Sequence, residues 1–169
     1  AGGGGTSGSV MVRSCMNWVE GERGWIVPFP EAGIHQQRPG GLRNILLWNG
    51  FYKEEKIDDV DFILKMIEDV KQRYAIDETR IYACGQSSGG MMTSELALRA
   101  PQVFAAAAPW SAIKDPDHNV PLPAEISPEV PYFFLVGEND WPCVDREKGQ
   151  LESQVPPDDA EILATVMEL

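Results

Sequence analysis

The sequence predicts an α/β fold, a mostly parallel sheet with helices on both faces. Three observations predict it. Short, continuous apolar runs, "RIYACG" at 80–85 and "YFFLVG" at 132–137, read as strands buried on both sides. Other segments carry apolar residues at helical spacing, most clearly residues 57–74. The two kinds of segment alternate along the chain, as they do where crossover helices join parallel strands.

Taken in order, the elements are these. Residues 1–10 are rich in Gly and Ser and read as a linker on composition alone. Residues 9–22 put Val12, Cys15, Met16 and Val19 on one helical face, with Ser9 as N-cap. "GWIVPF" at 24–29 is a short apolar run between Gly and Pro and predicts a buried strand. Residues 30–56 are rich in Pro, Gly, Gln and Asn and predict a long loop carrying Trp48.

The helix over 57–74 has the strongest signal. Val60, Ile63, Ile67, Val70 and Tyr74 recur at steps of three and four. Asp58, Asp59 and Asp61 fall in its first turn, and Lys71 and Arg73 in its last, so both ends complement the helix dipole. A strand at 80–85 follows, in which Cys84 is expected as a buried small hydrophobe. Next comes a helix from about Ser88 to Arg99, stopped before Pro101. The Ala-rich run 103–112 predicts a strand, 113–131 a polar loop and 132–137 a fully apolar strand. A last helix is expected over 158–169.

A length of 169 residues suits one domain spanning 1–169. The net charge of −12 argues against nucleic acid and anionic membrane surfaces as partners, because phosphates are bound by clustered Lys and Arg. No apolar run reaches the roughly 18 residues that a membrane-spanning helix needs. Cys15, Cys84 and Cys143 show no CxxC spacing, so no zinc site is expected. The chain opens on "AGGGGTSGS", which is not a signal peptide, and without Met; the sequence selects neither a secreted nor a cytoplasmic location.

The stretch "CGQSSGG" at 84–90 lies where a strand gives way to a helix. Gly85-x-Ser87-x-Gly89 in that context is the pattern of a nucleophile elbow. A serine on so tight a turn takes a strained backbone, and its neighbours two residues away have no room for side chains. Its hydroxyl then sits at a helix N-terminus, where unpaired N–H groups and the dipole favour negative charge. Ser87 is expected as the nucleophile, because it alone has Gly at both −2 and +2. The Ser88 N–H is expected as an oxyanion donor.

These residues carry a resemblance. The stretch 57–112 resembles polyhydroxybutyrate-depolymerase-like esterases of the α/β-hydrolase superfamily, a group that includes feruloyl and acetyl-xylan esterases. The matching features are "IDDV" opening the helix, Arg80-Ile81-Tyr82 entering the elbow, "GGMM" leaving it, and the Ala-rich strand ending in Pro109. "GWIVPFPE" and Trp48-Asn49 are similar to further segments of these enzymes.

The resemblance implies an α/β-hydrolase-type sheet lacking the first strands and the last strand. It implies hydrolysis of small or polymeric esters by Ser87 through an acyl-enzyme, with no cofactor and no metal. Asp140 in "GEND" takes the place of the catalytic acid, with Glu138 and Asp145 as competitors. "AGGGG" resembles the end of a segment whose glycines, near Gly3, hold the second oxyanion donor. Trp48, Trp110 and Trp141 are candidate pocket residues, with plain packing the equal alternative.

The family order is Ser, acid, His, yet both histidines, His35 and His118, precede Asp140. His118 is a weak candidate base and His35 a weaker one. The expectation is therefore a chain that carries the elbow and acid of an esterase but not its base. Exposed sheet edges would then invite association. A prolyl-oligopeptidase-like peptidase and a non-catalytic binding protein on the same fold are the alternatives.

Overall fold

A computed structural model describes residues 5–16, 24–36, 45–49, 57–112, 130–135, 144–145 and 150–151. The chain divides into two compact units, Ala1–Leu135 and Val136–Leu169.

The first unit opens on α1 (Ser7–Ser14). Its N-cap is Thr6, not Ser9. The Thr6 hydroxyl accepts from the Ser9 N–H at 3.2 Å, and the Ser9 hydroxyl accepts from the Thr6 N–H at 2.9 Å, a reciprocal capping box. The helix ends at Ser14, where Cys15 turns left-handed at φ 55°; residues 17–22 of the expected helix, with Val19, lie outside the described residues. Val12, expected on a packed face, is exposed.

"GWIVPF" is extended but forms no named strand, and Ile26 is exposed. The expected loop contains a small antiparallel hairpin instead, β1 (Ile34–Gln36) on β2 (Ile45–Leu47), with His35 opposite Leu46. Strands of three residues are too short to show an alternating pattern in sequence.

Helix α2 (Asp59–Arg73) forms as its charges and stripe dictate. Asp58 is the N-cap, accepting from the Asp61 N–H at 3.1 Å. Val60 and Ile63 enter the core, whereas Tyr74 has left the helix and is exposed. A 3-10 turn (Glu78–Arg80) then leads into β3 (Tyr82–Gln86), helix α3 (Ser88–Arg99) and β4 (Ala106–Trp110).

Strands β3 and β4 pair in parallel, Tyr82 opposite Ala106 through Gln86 opposite Trp110. Residues 132–135 add a third parallel run beyond β4, bridging Ala107 to Tyr132 and Trp110 to Leu135. A parallel sheet joined through helices is thus present, as predicted. Helices α2 and α3 share one core, in which Val60, Ile63, Met92 and Leu96 pack with Trp48 and Phe104.

The register puts Ala83, Gly85, Ala107 and Pro109 on the helix-covered face. On the other face, Tyr82 is 49% exposed, Phe133 53% and Leu135 47%. Cys84 also lies on that face and is exposed, contrary to the expected buried position. There it meets the Met16 sulfur at 3.8 Å, just past α1. The strands are as apolar as two-faced burial would make them, but among the described residues only one face is well covered.

The second unit contains a short antiparallel pair, β5 (Val144–Asp145) on β6 (Gln150–Leu151), between the strand expected at 132–137 and the helix expected at 158–169. The helix expected over 158–169 lies outside the described residues. Among the described residues, no helix is long and apolar enough to cross a membrane.

Candidate active site

Ser87 sits at the bend between β3 and α3 with φ 52° and ψ −121°, a conformation that L-residues rarely adopt. Two backbone bonds hold the bend. The Ser87 N–H donates to the Trp110 carbonyl at 3.0 Å, and the Met91 N–H donates to the Ser87 carbonyl at 2.9 Å. The Ser87 side chain makes no capping bond to α3 and is half-buried.

Gly85 and Gly90 are required by contact. A Cβ on Gly85 would lie 2.5 Å from the Gly89 carbonyl carbon and closer still to its oxygen. A Cβ on Gly90 would lie 2.5 Å from Ala112 Cβ and 3.0 Å from the carbonyl oxygens of Gly85 and Trp110. The helix start therefore packs directly on the strand ends, which only Gly permits.

Ser88 has a different role from its neighbour. It is 3% exposed, and its hydroxyl accepts from the Trp48 N–H at 3.1 Å. That leaves Ser87 with the available hydroxyl of the pair. The Ser88 N–H belongs to the first turn of α3 and so has no intrahelical acceptor.

Trp48 is 3% exposed and belongs to the core. With Trp110, Cys84, Gly89, Met92 and Thr93 it also lines a cavity of about 430 Å³ beside β3, within the size range of small-ligand pockets. The structure thus brings Ser87, Ser88, Trp48 and Trp110 together around the bend. Gly3, His118, Glu138, Asp140 and Trp141 lie outside the described residues. His35 is in β1 and Asp145 in β5 of the second unit.

Sequence reasoning missed two residues. Asp59 was read as a helix-terminal charge, yet it is 8% exposed and accepts from the Asn49 N–H at 2.7 Å. Burial pushes its carboxyl above the ordinary range, and the Asn49 bond opposes that shift. The second is Ser111, one register step beyond the Gln86–Trp110 pair, which has φ 51°, nearly the Ser87 value. The sequence marks Asp59 only as a first-turn charge within "IDDV", and marks Ser111 not at all. Among the described residues, no group of three His, Cys, Asp or Glu side chains could hold a metal ion.

The bend, its helix and the parallel strands are an α/β arrangement. Residues 47–119 match the sequence model of the prolyl oligopeptidase family. The chain is 43% identical over 51 residues to feruloyl esterase B of Thermothelomyces thermophilus, which covers 30% of this chain and 18% of the relative. It is 43% identical over 47 residues to poly(3-hydroxyalkanoate) depolymerase C of Paucimonas lemoignei, covering 28% and 11%. Feruloyl esterase B of Neurospora crassa is 41% identical over 51 residues, covering 30% and 18%. The matches span less than a fifth of these relatives' length. No solved structure gives a significant match. The resemblance to esterase-like α/β hydrolases read from the sequence is borne out over the matched segment.

Proposed function

We propose that the chain carries the nucleophile of a serine hydrolase that cleaves carboxylic esters through an acyl-enzyme. The observation that supports this most is Ser87 itself: a strained, positive-φ serine with an uncommitted hydroxyl, at the start of a helix and between Gly85 and Gly90, positions that only Gly fits. Strain of this kind clusters at functional sites.

In this reading the Ser87 oxygen attacks the ester carbonyl carbon. A histidine base takes the hydroxyl proton, and Asp140 orients that histidine. The carbonyl π electrons move onto oxygen, where the Ser88 N–H and an N–H near Gly3 stabilise the anion. Collapse expels the alcohol, which receives the proton from the histidine. Water, deprotonated by the same histidine, then releases the acid and restores Ser87. The family order that the resemblance implies puts this histidine after the acid, whereas His35 and His118 both precede Asp140; His118 is the alternative base within these 169 residues. No cofactor or metal takes part in any of these steps.

The names of the relatives favour feruloyl or polyester acyl groups, with acetyl esters the third candidate. The family match favours a second reading, a serine peptidase of the prolyl oligopeptidase kind. Turnover of matched ester and amide substrates by the protein in its full coding context separates the two. The ester reading expects efficient ester cleavage and little amide cleavage; the reverse ratio overturns it. A binding protein on the same fold turns over neither. The open sheet face at Tyr82, Phe133 and Leu135 supports association with a further segment or copy.

A further inference from the structure

Two adjacent backbone amides, those of Trp48 and Asn49, are each held by a side chain from a different helix. The Trp48 N–H donates to Ser88 Oγ of α3 at 3.1 Å, and the Asn49 N–H donates to Asp59 Oδ2 of α2 at 2.7 Å. Both side chains are buried, Ser88 at 3% and Asp59 at 8% exposure. The Asn49 side-chain amide also donates to the Ile57 carbonyl. Trp48 is thereby bonded to the residue next to Ser87, with its side chain in the core shared by α2 and α3 and on the wall of the cavity, whose lining reaches the bend at Gly89 and Trp110 but does not include Ser87 or Ser88.

We propose that Asp59 and Ser88 are positioning residues: through these two amides they set Trp48 as a fixed wall beside the Ser87 bend and so govern which acyl groups the site admits. This rests on the hydrolase reading for its consequence, but not for its geometry. A buried carboxylate is costly unless its charge is used in a hydrogen bond. The Asn49 N–H and the helix N-terminus both favour that charge. Neighbouring Asp58 opposes it, but Asp58 is itself engaged by Arg99 of α3 at 3.0 and 2.6 Å. Asp61, further along the turn, is paired with Lys65, and Glu95 of α3 acts on Arg99. A tryptophan held at its backbone, rather than only packed, keeps its place when a substrate presses against it.

Amide exchange and amide shifts, followed by NMR on the chain, test the clamp. Asp59→Leu should speed exchange at Asn49 about tenfold, and Ser88→Ala should do the same at Trp48. Asp59→Asn retains an acceptor and should leave Asn49 protected. Amides of β4 should not change in any of these. In the wild type, the Asn49 amide shift should follow the Asp59 carboxyl as it titrates above the ordinary carboxylate range. Should Asp59→Leu fail to fold, that titration and the Asp59→Asn variant carry the test.

Unchanged exchange at both amides, equal acceleration throughout the fold, or an Asn49 shift indifferent to pH each overturns the clamp. In the active protein, Asp59→Leu should raise KM for bulky acyl esters about tenfold more than for acetyl esters, and Asp59→Asn should restore it. A loss confined to kcat and equal for all esters overturns the selectivity role. Absence of any Ser87 chemistry sinks the hydrolase reading instead, and leaves the amide results to stand or fall alone.

Discussion

The Ser87 N–H donates to the Trp110 carbonyl oxygen at 3.0 Å, which ties the bend after β3 to the last residue of β4. The parallel register therefore runs one step past the end of the strand before the chain turns into α3. Ser111, the next residue of the neighbouring strand, donates in turn to the Leu135 carbonyl at 2.8 Å. The strained serine is held by its neighbours and not by its own side chain, which leaves the hydroxyl free for chemistry.

The contacts at Gly85 predict a large cost for Gly85→Ala. The new methyl group meets the backbone of Gly89, which cannot move without shifting α3 off the sheet. A loss of about 3 kcal/mol is expected, of the overpacking kind. Gly90→Ala, which meets Ala112, should cost a similar amount. Urea unfolding midpoints check both; a change under about 0.5 kcal/mol would mean that the helix start is not packed as described.

Strain at Ser87 predicts that Ser87→Gly is more stable than Ser87→Ala. Glycine reaches φ 52° without a Cβ penalty, although it loses more chain entropy on folding. The difference should be about 1 kcal/mol, read as a higher Tm for Ser87→Gly. Both substitutions should abolish any serine chemistry.

The Arg99–Asp58 pair predicts a small acid dependence of stability. The Arg99 guanidinium and then the Asp61 N–H hold the Asp58 carboxyl below its ordinary value of 3.8. The folded state thus binds that proton less tightly than the unfolded state. Its stabilisation is complete above the unfolded value and is lost as pH falls through the lower, folded value. Both groups are nearly half exposed, so Arg99→Gln should cost less than about 1 kcal/mol at neutral pH. The gap between wild type and variant should close as the solution is acidified below 3.8. Asp59 works in the opposite sense: its raised value weakens the fold as pH rises from the unfolded value through the folded one.

Tyr132 bonds with the buried Ser94 hydroxyl, which also donates to the Gly90 carbonyl at 3.2 Å. Burial pushes the Tyr132 phenol up to about 12, against the Ser94 bond. In an alkaline absorbance titration it should ionise later than an ordinary phenol, at about 12. Tyr132→Phe should remove that late step and cost about 1 kcal/mol, because Ser94 keeps its second partner.

The sequence made the elbow legible because Gly85 and Gly89 flank Ser87 between an apolar strand and an amphipathic helix, and each part has a local signature. Helix α2 was legible for the same reason. What stayed hidden is set by contacts distant in sequence. No spacing shows that Asp59 reaches Asn49, or that the Ser88 hydroxyl is taken by Trp48 across 40 positions. The exposed face bearing Tyr82, Cys84 and Phe133 was misread for a related reason. Apolar composition reports that a strand can be buried on both sides, not what covers it.

The most direct test of the central claim is to map where a fluorophosphonate attaches to the folded protein expressed in its full coding context. The account predicts a single adduct on the Ser87 hydroxyl, lost in Ser87→Ala and retained in a variant altered only at the open face, Phe133→Ser. An adduct on Ser88, or a folded protein that takes up no label, would contradict it.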